Sequence, residues 1–150
     1  DSAYADGDVL FTATAIPNAV LGNGGCSRLL NVFVMDQDLD TFGFDMFFTE
    51  KSTALGTIHA TANISDANME AIGLCGVLNY TSNVAVTADL DNVKIGKALS
   101  LSGEGESVEP MLIQADTDSR SVFVSGVITS GTPTFADVDD LDLIFHIQYK

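Results

Sequence analysis

The sequence predicts an all-β chain: a single β-sandwich of the jelly-roll type with one short helix at about 65–73. Three observations lead there. Of the 21 acidic residues, 16 are Asp, and Asp competes with the backbone for hydrogen bonds, favouring turns where Glu favours helices. Runs rich in Val, Ile, Phe and Thr alternate apolar with polar positions and are separated by clusters of Gly, Asp, Asn and Ser, the pattern of short strands joined by turns. The length of 150 residues with 46% apolar residues is enough for one core without disulfide staples. Residues 1–150 therefore read as one domain, with 1–8 as an extended N-terminal arm.

The elements follow in order. Asp8 to Ile16 is β-prone, with Val9, Phe11, Ala13 and Ala15 on one side, and ends at Pro17 before a Gly-rich loop that closes at Gly25. Ser27 to Asp36 is apolar on both faces, which places it centrally in a sheet or against another protein surface. Phe42, Phe44, Met46 and Phe48 alternate in the next run, so these two runs read as neighbouring strands with the acidic stretch between them as a turn. Ser65 to Gly73 reads as a helix: Ser65 or Asp66 caps it, Met69 and Ile72 share a face, and Gly73 ends it. Strands are expected around Val77 to Tyr80 and Asn83 to Thr87, with a flexible acidic turn over Gly103 to Ser107. Glu109 to Ala115 and Ser121 to Thr129 read as a hairpin closed by Asp116 to Ser119. In the last run Leu141, Leu143, Phe145, Ile147 and Tyr149 face the core, while Asp140, Asp142, His146 and Gln148 face out. About eight strands at this spacing argue a sandwich.

Charge excludes whole classes of partner. The net charge is −15 with six Lys and Arg, so there is no basic footprint for nucleic acid or for anionic lipid. No apolar run approaches the ~20 residues of a membrane-spanning helix. No membrane or nucleic-acid partner is expected.

The motifs that could carry chemistry fail their tests. Asp36, Asp38 and Asp40 stand two apart, but an EF-hand counted from Asp36 needs Gly at position six and Glu at twelve, where Thr41 and Phe47 stand. An exposed, solvated turn is expected there, and a charged edge at Asp137 to Asp142. His59 and His146 lack nearby ligand partners in the sequence, and Cys26 and Cys75 lack a CxxC spacing, leaving one disulfide or two buried thiols open. The glycines of the Gly22–Gly25 loop lack the Gly-Lys-Ser/Thr ending of a phosphate loop. No catalytic, cofactor-binding or metal-ligating residue is assigned, and no cofactor is expected.

One ordered set of short segments carries a resemblance: "YADGDV" (Tyr4–Val9), "PNAV" (Pro17–Val20), the Gly-rich loop, "VFVMDQD" (Val32–Asp38), "FDMFF" (Phe44–Phe48), "ISDAN" (Ile64–Asn68), "GTPTF" (Gly131–Phe135) and "LDLIF" (Leu141–Phe145). This succession resembles small virion structural proteins of tailed bacteriophages, of the head-decoration or cement type. Asp45 and Met46 vary one segment, Phe135 stands where Tyr is frequent, and Ala98 to Glu109 aligns poorly with the family. The resemblance implies a non-enzymatic β-sandwich, a homo-oligomer, made in the host cytoplasm and bound to the major capsid protein on the outer capsid surface. The alternative is a secreted or cell-surface β-sandwich binding calcium or carbohydrate, supported by the Asp clusters and opposed by the absence of Trp.

Overall fold

The computed structural model describes residues 2–82, 86–100, 110–135, 137 and 139–149. The strands are β1 (Val9–Ile16), β2 (Cys26–Asp36), β3 (Phe42–Thr49), β4 (Leu74–Thr81), β5 (Val86–Asp89), β6 (Lys94–Lys97), β7 (Leu99–Ser100), β8 (Met111–Gln114), β9 (Val122–Gly131) and β10 (Leu141–Tyr149), with the helix α1 (Asp66–Ala71) between β3 and β4. They form two antiparallel sheets, one in the order β1-β9-β3-β4-β7 and the other in the order β10-β2-β6-β5, with β8 also alongside β2. The all-β sandwich expected from the alternation is what forms. The Asn83–Thr87 run is described only from Val86, and the Gly103–Ser107 turn lies outside the described residues.

The apolar faces of the two sheets meet in one core. Phe42, Phe44, Met46 and Phe48 of β3 are all buried against Leu29, Val32 and Val34 of β2 and Val122, Val124 and Ile128 of β9. Phe42 and Phe44 each also lie within 6 Å of the Tyr80 ring in β4, contacts that add to simple area burial. β2 keeps its core face by a change of parity. Ser27 and Leu29 are buried at odd positions, Val32, Val34 and Asp36 at even ones, because a bulge opposite His146 and Ile147 adds a residue near Leu30.

Several expectations are corrected. β2 and β3 do not pair; they lie in different sheets, so residues 37–41 arch across the sandwich. β8 and β9 form no hairpin either, since β8 joins β2 while β9 lies between β1 and β3. The Asp116–Ser119 turn instead docks on the Gly-rich loop, where Gly24 N donates to Asp116 O and Ser119 O at 3.1 and 3.0 Å. Gly24 has φ +66°, and a Cβ there would stand 3.2 Å from Thr117 Cα, so this loop serves a close backbone approach. In β1 two register shifts bring Leu10 and Ile16 into the core in place of Ala13 and Ala15.

The helix is shorter than its sequence signal. Ser65 caps it by accepting from Asn68 N, and Gly73, at φ +68°, follows the C-cap Ile72. Six residues are too few to be stable alone; Ile72 and Met69 hold α1 by packing with Val9 and Leu55 in a second, smaller cluster. Residues 2–8 run along the same flank, with Tyr4 N donating to Pro133 O, Gly7 N to Ile128 O, and the Tyr4 side chain buried.

Candidate functional site

A large apolar cavity opens between the two sheets. β1 is an edge of one sheet and β10 an edge of the other. Between them lies a cavity of about 660 Å³ lined by Leu10, Phe11 and Ile16 on one side, Leu141, Leu143 and Phe145 on the other, and Val124 on the floor. At one end the Tyr149 hydroxyl donates to Asn18 O at 2.9 Å and ties the strand ends together. At the other end Tyr4, Ile58, Phe135 and Asp137 form the rim.

β10 keeps the predicted alternation, but its core face is not sealed. Leu141, Leu143, Phe145 and Ile147 pack against the core while staying only half-buried, and Tyr149, expected inside, is 49% exposed. Among the described residues no strand lies on the outer side of β10 to cover these side chains, and the cavity opens beside them. Phe145 still meets Phe48 edge to face at 6.1 Å. His146 is exposed as expected and lies against Phe33 at 5.3 Å on the outer face.

The two acidic stretches, far apart in sequence, meet at the rim. Gln37 N donates to Asp140 O, and Gln37 Nε2 to Asp139 O and Asp142 Oδ2. The Asp38 carboxyl is pushed up by partial desolvation and then by the charges of Asp140, Asp40 and Asp137. Among the described residues no group of three or more His, Cys, Asp or Glu is arranged to hold a metal.

Asp36 departs from the expected exposed turn: it is fully buried. Its Oδ1 accepts from the backbone of Asp38 at 3.0 Å and Leu39 at 3.1 Å, holding Leu39 at φ +60°, a conformation non-Gly residues seldom adopt. Lys94 Nζ completes the arch by donating to Leu39 O, and Asp40 accepts from Thr134 N. Asp36 Oδ2 and the Tyr80 hydroxyl are both buried without a hydrogen-bond partner among the described residues. Burial pushes the Asp36 carboxyl up, against the pull of its backbone donors and of Lys94. Burial, then the charge of Asp36, pushes the Tyr80 hydroxyl up to about 12. The first Asp of the triplet is thus an arch anchor, and only its successors belong to the acidic rim.

The remaining sequence candidates fall apart from the groove or from one another. His59, at φ +62°, stacks on Tyr4 at 3.7 Å, while His146 lies on the outer face of the other sheet. Cys26 is exposed and Cys75 half-buried, both as free thiols; burial and then Glu50 push the Cys75 thiol up. Two buried thiols are therefore not what forms. The groove itself was invisible in the sequence, because it depends on which strands become edges. No family model, no curated protein and no solved structure matches the chain. Fold and site together define an acidic β-sandwich with an open apolar groove on one flank.

Proposed function

We propose that the chain is a non-enzymatic structural protein of a phage virion, decorating or cementing the outside of the capsid through the major capsid protein. The observation that carries this reading is the half-buried apolar face of β10 over the open groove, on a strongly acidic chain. An apolar surface that the described residues leave uncovered is a docking surface in waiting. A charge of −15 suits the outside of a shell better than contact with packaged genome, since like charges repel. The ordered segments from Tyr4 to Phe145 give the resemblance that names the assembly. The order β1-β9-β3, with β8 beside β2 in the opposite sheet, is the wrapping we read as jelly-roll-like.

Self-association belongs to a different face. Phe33 and Met35 of β2 lie half-buried on the outer side of their sheet beside Ile144, which is 44% exposed and directly opposite Phe33. This patch supports a homo-oligomer. The test of attachment is co-sedimentation of the purified chain with empty shells of the major capsid protein, followed by electron microscopy. Stoichiometric density on the outer surface is expected; a chain left wholly in the supernatant would sink the reading.

A further inference from the structure

β1 and β10 both end their sheets, but they are not equivalent edges. β1 is protected at its start: Val9 N donates to Ala60 O, His59 N donates to Val9 O, and Asp8 bridges to Thr61. Its ladder also shifts register twice within eight residues, and bulges of this kind twist an edge away from further pairing. β10 has neither protection along most of its length. It pairs regularly with β2 from Leu141 to His146, with one irregularity before Ile147, and among the described residues no strand pairs with its outer side. Its inward side chains from Leu141 to Ile147 are apolar and half-buried. A regular edge beside an apolar groove is the geometry of strand addition: main-chain hydrogen bonds give affinity, and alternate side chains fill the pockets.

We propose that this groove receives an extended segment of the protein to which the chain attaches, paired as an added strand along the outer edge of β10. This rests on the attachment reading above and specifies the chemistry of its partner. Alternate residues of the segment are apolar and enter the cavity between Phe11 and Leu143. A Lys or Arg lies at the end that meets Asp137, Asp140 and Asp38, the rim where the acidic stretches converge. The opposite end is closed by the bond from Tyr149 to Asn18, which fixes where the basic residue must be. A second copy of this chain is a poor occupant of the groove itself, because its 21 acidic residues against six basic ones match poorly a rim that calls for a basic end. Self-association is assigned instead to the outer patch at Phe33 and Ile144.

The partner segment is read out by panning a random nonapeptide display library against the full chain, with Leu143→Lys as the counter-target. The expected peptides alternate apolar residues and carry Lys or Arg at one end. Their synthetic forms should bind Leu143→Lys at least about tenfold more weakly, a difference of ~1.4 kcal/mol. They should also slow hydrogen exchange of outer-edge amides in β10, and lose binding when N-methylated on the side facing the strand. The exchange measurement uses the native chain, so it decides the matter even if Leu143→Lys unfolds. Equal binding by N-methylated peptides would make the groove an apolar side-chain site and overturn strand addition. Absence of peptides enriched over the counter-target would overturn it too, as would a homodimer protecting the same β10 amides. The two readings fail separately. Shells that retain Leu143→Lys sink the groove proposal and leave attachment standing; peptides that bind a chain no shell retains do the reverse.

Discussion

Asp36 does two things at once, so removing its side chain and removing only its charge are different experiments. Its Oδ1 accepts from Asp38 N and Leu39 N, and Asn keeps such an acceptor while Leu does not. Asp36→Leu should cost about 1–3 kcal/mol, the range for leaving buried donors unpaired, measurable by denaturant unfolding. The charge has the opposite sign of effect. Burial raises the folded-state pKa above the ordinary 3.8, so the folded chain holds this proton more tightly than the unfolded one. The stabilisation tied to that proton is fully present below about pH 3.8 and is lost as pH rises through the folded pKa. Asp36→Asn should therefore melt near wild type at pH 3 and above it at pH 7. A variant that melts below wild type only at pH 7 would mean that attraction to Lys94 outweighs burial. None of this was legible in "DQDLD". Alternation marks Asp36 as a strand end but not whether the chain arches inward there, and that decides its burial.

Among the elements, the last strand tests the groove most directly. Phe145 touches Phe48 and lines the cavity, so Phe145→Ala should cost about 2–3 kcal/mol, less than the ~3–5 of a wholly buried ring because the site is already part open. His146→Ala, on the exposed face, should stay within about 0.5 kcal/mol. Both are compared in one melting series; a more damaging histidine variant would mean that its contact with Phe33 carries the outer face. The period-two pattern of this run made its facing readable, since a one-residue slip exchanges every side chain between core and solvent. Pairing was less readable. A five-residue acidic link after β2, or an Asp-Thr-Asp-Ser turn after β8, suits a hairpin and an arch equally well by composition. Packing between the sheets made the choice. Leu10 and Ile16 entered the core for a similar reason: two bulges in β1 override the simple alternation, and bulges leave little trace in a single sequence.

For the molecule as a whole, charge and apolar surface make separable predictions about salt. With a net charge of −15, self-repulsion opposes the compact state, and salt screens it: the Debye length falls from about 10 Å at 0.1 M to about 3 Å at 1 M. The melting temperature should therefore rise from low salt to about 0.5 M sodium chloride, and a fall would show that attractive pairs outweigh repulsion. The proposed attachment responds differently. Apolar burial in the groove is not weakened by screening, whereas the contact of a basic residue with the rim at Asp38, Asp137 and Asp140 is. Shell-bound chain should thus load more slowly as salt rises, because steering is lost, yet remain bound once seated at about 1 M. Kinetics and retention are followed in one sedimentation series. If seated chain is instead released at about 1 M while its own melting temperature stays high, the chain is intact and the contact is held by charge. The apolar face of β10 would then not be the part that holds the shell.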